Sequence, residues 1–224
     1  MRNGHNDSQK EYINSLTPET SPLFVEAKQN SELLGKESIS LGIGEGRILS
    51  LLMNGLAGQF GAIKFVEIGC LTGYSALWIL DGMKNQGGKL WTLEKDEKHA
   101  EMAESVLQKW NGKASVQVVC GDARKTLQEI ESQGPFHGVF IDGNKAAYLD
   151  YLDWSEKNVI KGGLIVADNV FLRGSVYDSQ VESPFSHKQV EVMQVFNKRL
   201  TQSDKYISAF IPTHDGLLAA YKQF

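Results

Sequence analysis

The stretch Lys64–Leu77, KFVEIGCLTGYSAL, leaves few folds open to this chain. Phe65-Val66-Glu67-Ile68 is a short apolar, β-branched run. It breaks at Gly69-Cys70-Leu71-Thr72-Gly73 and resumes with Tyr74-Ser75-Ala76-Leu77-Trp78-Ile79-Leu80, which is long and apolar enough for a helix. Strand, glycine turn and helix in that order open the nucleotide-binding half of a doubly wound α/β fold. Gly69 permits a sharp turn and a close approach of ligand to backbone. The helix start offers free N–H groups and partial positive charge, which suit a carboxylate or a phosphate, and Ser75 adds a hydroxyl there.

The spacing separates candidate ligands. The dinucleotide fingerprint is G-x-G-x-x-G, whereas this turn reads E-x-G-x-x-x-G. A pyrophosphate loop has little use for the Glu67 carboxylate. A ligand with an amino group beside a carboxylate fits better, because Glu67 can face its cationic side. That points to S-adenosylmethionine, against the plainer reading of a βα turn with no ligand.

A chain of 224 residues suits one α/β domain over 1–224, with 1–36 as N-terminal accessory helices. The formal net charge of −4 gives no broad basic surface for a nucleic acid backbone. Two cysteines, Cys70 and Cys120, make no disulfide framework, and both read as small buried residues at strand ends. The first residues, MRNGHNDSQK, lack the apolar core of a signal peptide, and no run approaches the ~18 apolar residues of a membrane span. A cytoplasmic protein with no membrane contact is the expectation.

Along the chain, 1–7 are polar, and Ser8–Leu16 and Ser21–Leu34 read as helices. Glu37–Gly44 reads as a loop and Glu45–Gly58 as a helix, followed by a strand at Ile63–Ile68. Lys89–Leu93 is the next strand and ends at Glu94, where a carboxylate can meet ribose hydroxyls or stand solvated at a helix start. Asp96 reads as an N-cap. Strand Ser115–Cys120 leads to Asp122, which either accepts from an adenine amino group or caps helix Ala123–Glu131. Val139–Ile141 ends in Asp142-Gly143-Asn144-Lys145. Gly162-Gly163 turns into Leu164–Ala167, which ends in Asp168-Asn169. The polar loop Val170–Pro184 has the length of a lid. A helix carrying Val190, Met193, Phe196 and Leu200 follows, and strands Ile207–Pro212 and Leu217–Tyr221 flank a D-G turn. The alternation predicts a doubly wound, mostly parallel, Rossmann-like sheet with a C-terminal antiparallel hairpin, an addition typical of class I methyltransferases.

Asp142, Asp168 and Asn169 follow strands expected to be neighbours, and ligands of open α/β sheets sit beyond such strand ends. Three oxygen donors without histidine or thiol suit a hard divalent ion, Mg²⁺ first, then Mn²⁺ or Ca²⁺. His5, His99, His137, His187 and His214 lack zinc-ligand spacing.

Together, VEIGCLTGYSAL, LWTLEKDEKHAEMA, GDARKTL, VFIDGNKAAYLDYLDW and GGLIVADNVFLRG resemble the cation-dependent O-methyltransferases of the caffeoyl-CoA and catechol type. The resemblance implies that Glu67, Gly69, Cys70 and Ser75 hold the methionine end of the cofactor, with Leu41 touching it through its backbone. It assigns Glu94 to the ribose, Asp122 and Ala123 to the adenine, and Asp142, Asp168 and Asn169 to the metal. Lys145 matches a lysine that assists deprotonation if burial and the cation lower its pKa. Arg173 falls where such enzymes face their acceptor. The chain departs from the family at Asn144, often an aspartate, so a polar contact to the cofactor persists there without charge. Phe171-Leu172-Arg173 also differs from the plant enzymes, and the N-terminal segment does not match their CoA-recognition region. The expectation is methyl transfer to a hydroxyl of a small phenolic or catechol-like acceptor by a homodimer. Rival readings are a tRNA hydroxyuridine methyltransferase on the same fold, a non-catalytic cofactor-binding protein, and an NAD-dependent dehydrogenase, which the missing G-x-G-x-x-G disfavours.

Overall fold

Strand β1 (Ile63–Ile68) runs between β2 (Gly88–Glu94) and β4 (Phe136–Ile141), parallel to both. The computed structural model describes residues 11–12, 15–16, 21–36, 40–202 and 204–224. The helix expected over Ser8–Leu16 falls largely outside them, as do the polar 1–7 and part of the Glu37–Gly44 loop. With β3 (Ala114–Cys120), β5 (Val159–Ala167), β6 (Tyr206–Ile211) and β7 (Leu217–Lys222), the sheet has seven strands in the order β3-β2-β1-β4-β5-β7-β6. β7 pairs antiparallel with both β5 and β6, so the terminal hairpin is as expected.

Alternation along β1 explains the layering. Phe65 packs into one core with α1 (Pro22–Leu33), α2 (Ile43–Phe60), α3 (Tyr74–Met83) and α4 (Glu97–Leu107). Val66 and Ile68 pack into a second core with α5 (Ala123–Ile130), α6 (Tyr148–Asn158) and α7 (His187–Thr201). A strand buried on both faces must be apolar at almost every position, as this one is. The exceptions are Lys64, half-buried near the strand start, and Glu67, fully buried near its end.

Three expectations need correction. β5 begins at Val159, so Gly162-Gly163 lie inside the strand rather than ahead of it. The pairing with β4 jumps from Phe136–Val159 to Gly138–Leu164, and the two glycines occupy that irregularity, as glycines in strands commonly do. Helix α2 starts at Ile43, two residues before the expected Glu45, because the Glu45 carboxylate accepts the Gly42 N–H at 2.8 Å and caps the turn. Cys120 is exposed at the end of the edge strand β3, while Cys70 is buried as expected.

Candidate active site

Parallel strand ends gather the candidate residues at one edge of the sheet. A cleft of about 750 Å³ there is lined by Leu41, Gly69, Cys70, Ser75, Glu94, Asp142, Lys145, Asp168, Asn169 and Arg173. A smaller cavity of about 220 Å³ continues past Gly69 and Glu94 to Asp122, Ala123, Asn144 and Tyr151. Every candidate from the sequence except Glu67 lines one of the two, and Glu67 lies directly beneath, one residue into β1 from Ile68.

Gly69 makes the first turn possible. Its φ is +90°, and a Cβ there would stand 2.4 Å from the Asp142 carbonyl oxygen. Only glycine lets the turn after β1 press against the end of β4. Beneath it, Glu67 accepts a hydrogen bond from the Thr92 hydroxyl on Oε2, whereas Oε1 is buried without a hydrogen-bond partner among the described residues. Thr92 is the β2 residue directly across from Glu67 in the parallel register. Burial lifts the Glu67 carboxyl to about 7, against the lowering pull of the Ser75 and Thr92 hydroxyls. An orphaned carboxylate oxygen at this depth fits an ammonium group of a ligand.

Glu94 is not a solvated helix-start residue. Its Oε2 accepts from the N–H groups of Leu71 at 2.9 Å and Cys70 at 3.3 Å, and Oε1 accepts from Asp96 N–H at 3.0 Å. The carboxylate thus ties the end of β2 to the glycine turn. Asp96 caps α4 as expected, accepting from His99 N–H. Asp122 also caps its helix. It accepts from Arg124 N–H at 3.0 Å and is gripped by the Arg124 guanidinium at 3.1 and 2.8 Å, which holds its carboxyl well below the usual range. Asn144 Oδ1 accepts from Ala146 N–H at 3.1 Å and opens the short turn that carries Lys145.

Two of the three oxygen donors meet at one atom. Lys145 Nζ donates to Asp142 Oδ1 at 2.8 Å and to Asn169 Oδ1 at 2.7 Å, so two donors from neighbouring strands point at one cationic centre. Asp168, beside Asn169, accepts from the Asn169 N–H at 2.7 Å. Burial pushes both aspartates upward, and the charge of Asp142 adds to the rise at Asp168. Two aspartates that resist joint ionisation, with an amide oxygen from the residue beside Asp168 and no soft ligand, suit a hard divalent cation. Asp142, Asp168 and Asn169 are the residues that could hold one.

Lys145 stands among these donors with its charge balanced by the protein. Burial pulls its pKa down, but the Asp142 carboxylate and the Tyr148 hydroxyl outweigh that, and the ammonium is held above the usual lysine range. The expected lowering of the Lys145 pKa calls for burial together with a cation at the neighbouring oxygen donors, and burial alone does not supply it.

Sequence reasoning missed three residues. Thr92 was legible only from strand register. Tyr148, buried, donates toward the carbonyls of Asp168 at 2.9 Å and Ile141 at 3.2 Å and accepts from Lys145 Nζ at 2.8 Å, which ties both metal-donor loops together. Asp215 reads as half of a D-G turn. It is nevertheless buried, lines the large cleft, and accepts from Arg173 N–H at 2.6 Å. The lid expected over Val170–Pro184 carries a short 3₁₀ turn, Leu172–Gly174, and its Pro184 lines the cleft with Phe185 beside it.

A sheet in the order 3-2-1-4-5-7-6 with strand 7 antiparallel, and a cleft at the ends of its parallel strands, defines a class I methyltransferase. The O-methyltransferase family model matches residues 16–223, and the chain belongs to that family as an S-adenosylmethionine-dependent O-methyltransferase. It is 33% identical over 186 residues to a catechol O-methyltransferase of Niastella koreensis, covering 82% of each chain. It is 34% identical to a catechol O-methyltransferase of Mycobacterium tuberculosis, over 74% of this chain and 72% of that one. Among solved structures, the O-methyltransferase TomG from Streptomyces achromogenes, in complex with SAM, superposes with a TM-score of 0.84 at 26% identity, covering 97% of this chain and 96% of that one. The O-methyltransferase from Bacillus cereus, in complex with SAH, gives 0.81 at 26% identity, covering 96% of this chain and 97% of that one. No helix among the described residues is long and apolar enough to cross a membrane.

Proposed function

We propose that this chain methylates one hydroxyl of a small catechol-like or phenolic acceptor, using a divalent cation, Mg²⁺ first, held by Asp142, Asp168 and Asn169. The observation that carries the proposal is the convergence of Asp142 Oδ1 and Asn169 Oδ1 on one cationic nitrogen at 2.8 and 2.7 Å, inside the cleft that also holds the Gly69 turn. The catechol O-methyltransferase relatives and the net charge of −4, which offers little to RNA, support the same reading.

When bound, S-adenosylmethionine supplies an electrophilic methyl group, and the cation lowers the pKa of an acceptor hydroxyl from its usual value of about 10. The chain's own residues do the rest. Glu67 Oε1 pairs with the ammonium of the methionine end, while Gly69, Cys70, Ser75 and the Leu41 backbone enclose it. Glu94 takes the ribose hydroxyls without releasing the glycine turn. The backbone at Asp122 and Ala123, with Asn144, flanks the adenine in the smaller cavity. Lys145, beside Asp142 and Asn169, would take up the acceptor's hydroxyl proton from its neutral form, which burial and a cation at the neighbouring donors would favour. Holding that oxygen in line with the methyl group supplies the remaining acceleration. The same reading takes the acceptor as a small molecule and the working form as a homodimer.

The test is transfer of labelled methyl from S-adenosylmethionine to a catechol panel and, separately, to bulk tRNA, each with Mg²⁺ and with chelator. Metal-dependent label in a catechol is the expected result. Label in tRNA alone moves the function to RNA modification and overturns the proposal.

A further inference from the structure

We propose that the acceptor carries a carboxylate and that Arg173 is the specificity-determining residue that receives it; this rests on the phenolic reading above. Arg173 lines the same cleft as Asp142, Asp168 and Asn169, and Pro184 and Phe185 add non-polar surface to its lining. An aromatic ring can lie on that surface with its hydroxyls at the oxygen donors and a further substituent reaching Arg173.

The position of Arg173 is built rather than incidental. Leu172 and Arg173 have φ of 47° and 53°, left-handed values that cost roughly 1 kcal/mol or more for each non-glycine residue. The β6–β7 turn holds them there. Buried Asp215 accepts from Arg173 N–H at 2.6 Å through Oδ1 and from Phe171 N–H at 3.0 Å through its carbonyl. The Gly216 carbonyl accepts from Val170 N–H at 3.2 Å. The loop that carries Arg173 is therefore fastened to the sheet on the same stretch that supplies Asn169.

Charge in the cleft is already divided. Glu45 is taken by Gly42 N–H, Glu94 by Leu71 N–H, Asp142 by Lys145, Asp168 by Asn169 N–H, and Asp215 by the backbone of Arg173. Among the described residues, the Arg173 guanidinium makes no hydrogen bond or ion pair, and it is exposed to the cleft. A planar guanidinium fork with no protein partner matches a carboxylate in two parallel hydrogen bonds.

The experiment compares kcat/KM for 3,4-dihydroxybenzoate with that for its neutral amide, 3,4-dihydroxybenzamide, using S-adenosylmethionine and Mg²⁺. The protein as it stands should favour the acid by about tenfold or more, the scale of a charge-assisted contact. In Arg173→Gln that ratio should fall to near one, and in Arg173→Lys it should stay intermediate. Cofactor binding by calorimetry verifies that both variants are folded. A ratio near one in the unaltered protein, or the same ratio in Arg173→Gln, overturns the proposal while leaving the phenolic reading intact. Methylation of neither acceptor overturns the phenolic reading and this inference with it.

Discussion

Lys145 reaches across two strand ends to Asn169, with Nζ 2.7 Å from Asn169 Oδ1 although 24 residues separate them in the chain. The contact joins the loop after β4 to the loop after β5. Asn169 meets it from a left-handed backbone, φ 56°, an uncommon conformation that asparagine tolerates better than most residues. A turn accounts for that backbone, with Leu172 N–H donating to the Asn169 carbonyl at 3.1 Å, while the amide oxygen turned to the same ammonium as Asp142 is what the metal reading adds.

Glu67 sets a pH dependence. The folded carboxyl holds its proton up to about 7, against 4.5 for an ordinary glutamate, so between those values the folded state binds more protons than the unfolded one. Stability of the ligand-free protein should therefore fall as pH rises from about 4.5 to about 7, by roughly 3 kcal/mol at most. Glu67→Gln should flatten that dependence in denaturant titrations across the same window. Binding of S-adenosylmethionine to the unaltered protein should strengthen over it, because the ammonium meets the ionised form. A pH-independent affinity between pH 5 and 7 would contradict the pairing.

Gly69→Ala tests the turn. The added Cβ meets the Asp142 carbonyl at 2.4 Å with φ held at +90°, so both sterics and backbone oppose it. A loss of roughly 2 kcal/mol or more in unfolding free energy is expected, with cofactor affinity lost in parallel. Stability and affinity equal to the parent protein would mean that the turn relaxes freely.

Tyr148→Phe removes a hydroxyl that serves two carbonyls and Lys145. About 1–3 kcal/mol of stability should go with it. Because the same hydroxyl fixes the loops that carry Asp142 and Asp168, the Mg²⁺ concentration for half-maximal turnover should rise by about tenfold. Unchanged Mg²⁺ dependence would reduce Tyr148 to a packing role.

Asp168→Ala removes a proposed metal donor without touching the Glu67–Gly69 turn. Mn²⁺ binding followed by electron paramagnetic resonance should weaken by about 100-fold or more. S-adenosylmethionine binding by calorimetry should remain measurable. Equal Mn²⁺ affinity in the variant would place the cation elsewhere.

Local pattern made much of this protein legible. The limits of β1 match their sequence reading, since an apolar run ended by glycine admits one interpretation. The three candidate metal donors needed only the rule that ligands gather at parallel strand ends. What escaped depends on partners distant in sequence. Thr92 meets Glu67 only through the β1–β2 register, and Asp215 meets Arg173 only because the terminal hairpin folds back beside β5. Asp122 is a different case, because its grip by Arg124 two residues on shows the cap, one of the two uses that a lone aspartate leaves open. Sequence alone puts the start of β5 too late because Gly162-Gly163 resembles a turn locally, while the pairing with β4 absorbs it as an irregularity.

The most direct measurement is methyl transfer to a catechol by the unaltered protein, first in excess chelator and then after Mg²⁺ is restored. Loss of transfer in chelator and its recovery with Mg²⁺ is the expected result. A full rate in chelator would contradict the metal role of Asp142, Asp168 and Asn169.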